Sequence, residues 1–507
     1  MKRALLTLAL LLVRLSAAQA GVNERYFALV VGYNGPPSTR GADAPLPLRY
    51  ADDDALSFYE LEHEAGTDAV LLTVPDADSR RRFPWAADVA RPPTLSEIER
   101  AVTDLNKRMA ATFQAGHKPV FVFFYSGHGS RDQSTGAALT LPDGALSGAG
   151  LREHILDKIH AQTVHLIIDA CHADAIARPR DIDAKTMPIT QAEIMARLSA
   201  EMSSSYPNVG LVLASDGGSP THEWDLYQSG IFTHEVISGL RGGADVNHDG
   251  RIEYSELAAF LTAANTEVLD TRARVQSILQ APSIQARAPL IELGEATSAG
   301  WLTNIQSTAR QFFVEDQHGT RILDGHPEYG FAMSVAVPPD QLLFVHDGER
   351  EADVVVPRGE RRAFDALTFH KSPLQARGAM ETSLEKGLFL MPYGPGYYNG
   401  FVDRRDAVRV PGVQSIEISR GIPPSGVSTR RKTLVWTLRG ASGALLGSAV
   451  LFAGLTLEAR SNFEAASTQV AAAQANDRFK LDSTLALTFL ASAVVCAAVS
   501  FVVDLRK

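Results

Sequence analysis

Only two cysteines occur in 507 residues. One, Cys171, stands in IIDACHAD (Ile167–Asp174), two positions after Asp169 and directly before His172. A thiol is a poor nucleophile at its free pKa of about 8.5 and needs a base or a positive field beside it. YSGHG (Tyr125–Gly129) offers His128, 43 positions upstream, between glycines that let backbone approach a substrate closely. A lone histidine after a strand would usually pack; the pair is more specific. Each residue closes a near-continuous apolar run, PVFVFFYSGHG from Pro119 and VHLIIDACHAD from Val164, with one helix-forming segment between them. Adjacent parallel strands joined by such a crossover bring both ends within reach, which suits attack by Cys171 with His128 as base. The other cysteine, Cys496, lies in an apolar tail, so no disulfide framework or zinc site is expected. His172 reads as packing or solvent-facing.

A second stretch offers oxygens. DVNHDGRIEYSE (Asp245–Glu256) matches the twelve-residue EF-hand loop, with Asp245, Asn247, Asp249, the Arg251 carbonyl and Glu256 at the ligand positions. Gly250 supplies the sharp turn, Ile252 is the apolar residue, and IFTHEVISGL and LAAFLTAAN on either side are helical in pattern. The implied cofactor is Ca²⁺; the alternative is a turn rich in Asp and Asn that binds nothing. A single loop binds weakly, which suits a calcium-rich exterior better than a cytosolic sensor.

The elements that must position these residues follow from periodicity. RYFALVVGYN (Arg25–Asn34), AVLLTV (Ala69–Val74) and VGLVLASD (Val209–Asp216) join the two runs above as strands. Helical patterns begin at Ala51 and span Thr94–Ala115, with Thr94 as N-cap. Strands apolar on both faces and alternating with helices give an α/β fold with a mostly parallel sheet flanked by helices. Its site belongs at the carboxyl ends of the strands. From about Arg310 to Val410 apolar and polar residues alternate around Gly, Pro and Asp turns, so an antiparallel β domain is expected over 305–415, after a domain over 21–295. It carries no cluster of chemistry and reads as a spacer or binding module.

The ends point to a membrane. Residues 1–20 combine Lys2 and Arg3, an apolar core and an Ala18-Gln19-Ala20 ending, the pattern of a cleaved signal peptide. After a linker (416–439), residues 440–457 and 483–503 lack charge and are long enough to span a bilayer, with a polar loop (458–482) between. Gly443 and Gly447 have the spacing that allows a homodimer through the membrane helices. The expected location is a bacterial-type cell membrane with the body exported. A net charge of −10 without a basic patch excludes nucleic acid as a partner.

YSGHG followed by DACHAD resembles the caspase/metacaspase superfamily, and the resemblance extends over Arg25–Phe260 to include ADDDA (Ala51–Ala55) and SGIFTHEVISGL (Ser229–Leu240). It implies a cysteine endopeptidase acting on protein or peptide substrates. Cys171 would be the nucleophile, His128 its base and then the acid for the leaving amine, and the N–H groups of Gly129 and Cys171 the oxyanion hole. The Asp-x-Cys-His form is metacaspase-like. It implies that Asp169 and Asp54, with Ser126, hold an Arg or Lys side chain on the N-terminal side of the cleaved bond (P1). For Asp54 the alternative is a solvated carboxylate at a helix start. Two departures bear on pocket shape: DACHAD lacks the usual serine–glycine ending, and Ala51 stands where cysteine is common. Rival readings are an idle scaffold of the same fold, and a relative with another P1 choice.

Overall fold

The computed structural model describes residues 24–35, 46–132, 136–170, 205–215, 223–268, 274–293, 298–306, 311–348, 350–371 and 387–408. The leader, Cys171 and His172, the linker and both apolar C-terminal segments lie outside them. Among the described residues no helix is long and apolar enough to cross a membrane.

Six strands form the central sheet: β1 (Glu24–Tyr33), β2 (Asp68–Thr73), β3 (Lys118–Gly127), β7 (Thr163–Asp169), β8 (Val209–Ser215) and β12 (Gln276–Gln280), in the order β12-β8-β7-β3-β1-β2. All pairings are parallel except that of β12, which closes one edge antiparallel to β8. Side chains alternate across the sheet as the strand period of two requires. Ala28, Val30, Val122, Phe124 and Ile167 face one core, with Phe58 stacked on Phe124 at 4.2 Å. Phe27, Leu29, Phe121, Phe123 and Ile168 face the other. Because both faces are buried, the strands read as continuous apolar runs.

Helix α1 (Ala51–Glu64), α4 (Ile231–Ser238) and α5 (Tyr254–Asn265) supply the first core. The second is covered by α3 (Leu95–Gln114), whose Ile98, Val102, Leu105 and Met109 recur at helical spacing and are fully buried. Each such side chain stabilises the fold by about 1.5–3 kcal/mol. Thr94 caps α3 by accepting from the Glu97 N–H. A short α2 (Ala77–Arg82) follows β2, capped by Asp76.

The crossover from β3 to β7 differs from expectation. Besides the expected helical segment, Gly148–Leu151 continued by Arg152–Leu156, it contains a three-stranded sheet, β4 (Gly129–Asp132), β5 (Gly136–Leu141) and β6 (Gly144–Ser147). ALTL and ALS flanking Pro142-Asp143-Gly144 carry a hairpin signal that the helical reading overlooked. Beyond α4 lie the two-residue strands β9 (Glu223–Trp224) and β10 (Ser229–Gly230) on its N-terminal side, and β11 (Arg251–Glu253) paired with β13 (Pro289–Glu292) after it.

The β region holds two sheets. One pairs β14 (Gly300–Gln306) with β17 (Ala332–Val337) and, in parallel, with β20 (Arg361–Ala363). The other orders β15 (Phe312–Asp316), β16 (Arg321–Gly325), β18 (Leu342–Asp347), β19 (Arg350–Val355) and β21 (His370–Lys371) as β16-β15-β18-β19-β21, antiparallel throughout. The expected all-antiparallel domain thus contains one parallel pair. It has its own core around Leu302, Val314, Leu323 and Val345. Yet the described residues all fall in one compact unit. Apolar and polar contacts both join the two regions: Trp301, Ala336 and Phe389 belong to the first core. His234 of α4 meets Asp324 at 2.8 Å, the Ser238 hydroxyl accepts from the Asp324 N–H, and Arg82 of α2 meets Asp316 at 3.1 Å. Helix α6 (Pro395–Val408) returns to pack on α5.

Candidate active site

The carboxyl ends of β1, β3 and β7 lie side by side, with Gly32 level with Ser126 and Ser126 level with Asp169. His128 and Cys171 each follow that aligned pair by two residues. Gly32 also sets the position of α1. A Cβ on Gly32 would collide with the Ala51 carbonyl and the Ala55 side chain, so only glycine lets the first turn of the helix close on the strand.

That first turn carries Asp52, Asp53 and Asp54, all buried. Asp52 is structural: Asn34 Nδ2, the Asp76 N–H and the Ser79 hydroxyl donate to it at 2.6, 2.8 and 2.8 Å. Asp53 faces Arg82 at 3.6 Å. Asp54 points toward the strand ends, where it accepts from Ser126 Oγ (2.7 Å), Ser229 Oγ (2.5 Å) and the Gly230 N–H (3.0 Å). At 2 % exposure it is not the solvated helix-start carboxylate of the alternative reading.

Asp169, the last residue of β7, is 6 % exposed and accepts from Thr233 Oγ1 at 2.7 Å. Gly230 lies between the two acids. A Cβ there would stand 2.8 Å from Asp169 Oδ2 and 3.0 Å from Asp54 Oδ2. Among the described residues no cationic side chain pairs with either. Burial, and then the charge of Asp169, holds the Asp54 carboxyl well above the usual carboxylate range. Burial, with a contribution from Glu223, lifts Asp169 to about 6. Two carboxylates with hydroxyl and amide donors but no counter-ion form a seat for a cation.

His128 is half-buried just past β3. Its backbone is fixed: the carbonyl accepts from Tyr125 Oη at 3.1 Å and from the Thr140 N–H at 3.0 Å. Nε2–H donates to the Leu46 carbonyl at 2.9 Å, which leaves the Nδ1 lone pair free in the neutral ring. Burial lowers its pKa against the opposing Leu46 contact, and so favours that neutral, basic form. Gly129 begins β4, level with Leu139 of β5. Cys171 itself lies outside the described residues.

Three side chains escaped the sequence reading. Ser229 and Thr233 flank Gly230 in SGIFT and donate to the two acids; their hydroxyls at that spacing were the available signal. Glu223 had none. Its carboxylate accepts from the Arg49 and Tyr50 N–H groups at 2.7–3.0 Å, tying the β9–β10 hairpin to the start of α1, while Asp225 takes the Arg49 guanidinium.

The Asp245–Glu256 loop is closed by hydrogen bonds to its own backbone. Asp245 accepts from the Asp249 and Gly250 N–H groups, Asn247 from the Asp249 N–H, and Asp249 from the Arg251 N–H. Glu256 lies in the first turn of α5, 1 % exposed. Among the described residues no three His, Cys, Asp or Glu side chains converge as a metal-binding group.

Comparison with known families places residues 25–290 on the model of the caspase domain. No curated protein matches the chain.

Proposed function

Because the chain belongs to the caspase-domain family of cysteine-peptidase-like hydrolases, we propose that it is a membrane-anchored cysteine endopeptidase cleaving after Arg or Lys. The observation that carries the specificity is the buried Asp54–Asp169 pair on either side of Gly230. Two acids so placed tolerate full ionisation only when a cation arrives between them. A guanidinium can satisfy both at once and inherit the hydroxyl-ordered geometry.

In the proposed mechanism Cys171 attacks the scissile carbonyl after His128 has taken the thiol proton at Nδ1. The N–H groups of Gly129 and Cys171 receive the oxyanion. His128 then returns the proton to the leaving amine, and water, deprotonated by the same ring, hydrolyses the acyl-enzyme. Asp54, Asp169 and Ser126 bind the P1 side chain and take no part in proton transfer.

A panel of fluorogenic peptides varied at P1, presented to the full-length protein, tests the reading. Turnover of Arg and Lys peptides is expected, with Asp169→Asn losing more than tenfold in kcat/KM on them, in keeping with about 1.5–3 kcal/mol for a charged hydrogen bond. Equal or faster cleavage after Asp would overturn the pocket assignment. Failure of an Arg-based thiol-reactive probe to label Cys171 would favour the idle scaffold.

Anchoring and export rest on the leader and the two apolar segments of the sequence. The positive-inside tendency opposes export alone, since Arg430, Arg431, Lys432 and Arg439 lie on the body side. Export is still favoured, because large domains translocate largely regardless of charge. Protease added outside sealed spheroplasts should digest the body; complete protection with residues 1–20 retained would place it in the cytoplasm.

A further inference from the structure

We infer that Asp245–Glu256 is a calcium site, braced by the domain itself. The loop has the winding such a site needs: Gly250 takes the left-handed turn at φ 74, and Asp245, Asn247 and Asp249 curl their oxygens over the loop backbone. Winding alone marks only an acidic turn. The independent observation is Glu256. Its Oε2 accepts from the Glu253 N–H at 2.9 Å, but its Oε1 is fully buried and has no partner. Leaving a carboxylate oxygen buried and unpaired is costly unless a cation is there to take it. No guanidinium does so, because nearby Arg287 is engaged with Glu253 at 2.8 Å. The carboxylates whose charges act on Glu256 are Asp245, Asp249 and Glu253, two of them at ligand positions of the loop.

The surroundings hold both ends of the loop. Ile252 is fully buried, β11 pairs with β13, and the Leu293 N–H donates to the Gly250 carbonyl at 2.7 Å. Tyr393 Oη donates to the carbonyls of Ala244 and Glu256, one at each end. A second loop is therefore not needed to brace this one. Carboxylate, amide and carbonyl oxygens without nitrogen or sulfur select a hard cation, and a flexible set of such ligands suits Ca²⁺ better than Mg²⁺.

This inference does not rest on the peptidase reading, and its test measures binding. Full-length protein carrying Cys171→Ala, kept in metal-free buffer, is titrated with CaCl₂ and separately with MgCl₂ while heat of binding and melting temperature are followed. Calcium at millimolar concentration should raise the melting temperature by about 2–4 °C or more, and magnesium should do much less. Glu256→Gln keeps a side chain able to cap α5 yet should abolish the calcium response. Should that variant fold poorly, Asp249→Ala changes an exposed residue and should also abolish it. No response in the parent, or a response undiminished in both variants, would overturn the site.

Discussion

At the scale of single residues, the proposed pair of His128 and Cys171 stands out in the sequence because each member closes an apolar run, and a run buried on both faces leaves few other readings. The pocket was only partly legible there. Asp169 stands two positions before Cys171 in the sequence, whereas Glu223 and Ser229 reach the site from the β9–β10 hairpin and Thr233 from the start of α4, an approach that no local pattern records. Gly230 gives the sharpest test of that pocket. Its backbone, at φ −64 and ψ 137, is open to any L-residue, so glycine is there for room and not for conformation. In Gly230→Ala the added methyl would stand 2.8–3.0 Å from both acid oxygens, in the space a P1 cation needs. The expected result is a loss of at least tenfold in kcat/KM on Arg peptides, with the melting temperature within about 2 °C of the parent. Undiminished kcat/KM would remove Gly230, and with it the proposed cation seat, from the site.

At the scale of elements, the sequence reading placed the start of every strand of the parallel core within one residue, because two buried faces impose one hydrophobic signature along the whole run; it carried the run from Val164 on to Asp174, whereas β7 ends at Asp169. It missed the β4–β6 sheet, where the segments are short and the turn chemistry outweighs periodicity. It also gave no account of how α1 and α4 are held. Arg241, after α4, is 1 % exposed and bonds Glu64 of α1 at 2.6 Å, while Nη1 also reaches the Ala336 carbonyl of β17. Removing one member of such a buried pair leaves the other uncompensated, at a cost of about 3–5 kcal/mol. Beside it a polar cavity of ≈ 20 Å³ is lined by Glu60, Arg82, His234 and Arg321, room for about one water. Among the described residues the Nε–H groups of Arg241 and Arg321 have no hydrogen-bond partner there. Buried ions thus tie the helices bearing the pocket residues to the β region, which helps to hold them in place.

At the scale of the whole molecule, this dependence on buried charge has a consequence for pH. Burial lifts Asp53 to about 8, helped by the charge of Asp52 and opposed by Arg82. It lifts Glu60 to about 7, with Glu64 adding to the rise and Arg241 opposing it. Glu62, bonded only by Thr67 Oγ1, is likewise lifted to about 7. Unfolded, these groups titrate near 4. Between about 4 and 8 the folded chain therefore holds more protons than the unfolded one, and their contribution to stability falls as pH rises. The buried histidines act in the opposite sense. His165, held down to about 3, and His234 and His326, both lowered by burial, stay neutral when folded. The unfolded chain takes up their protons below about 6.5, so stability falls again toward acid. The two trends meet near pH 6, and an ordinary domain's plateau through neutrality should be absent. Thermal melts of the full-length protein, followed by circular dichroism without divalent ions, should show a lower melting temperature at pH 8.5 than at pH 6.5. The decline should be concentrated between about 6.5 and 8, where Glu60, Glu62 and then Asp53 are forced to ionise. Asp53→Asn, which keeps the shape and removes the ionisation, should flatten the upper part of that slope. A melting temperature constant or rising over the interval would mean that these carboxyls are ionised in the folded protein, and that the charge network is better compensated than its geometry indicates.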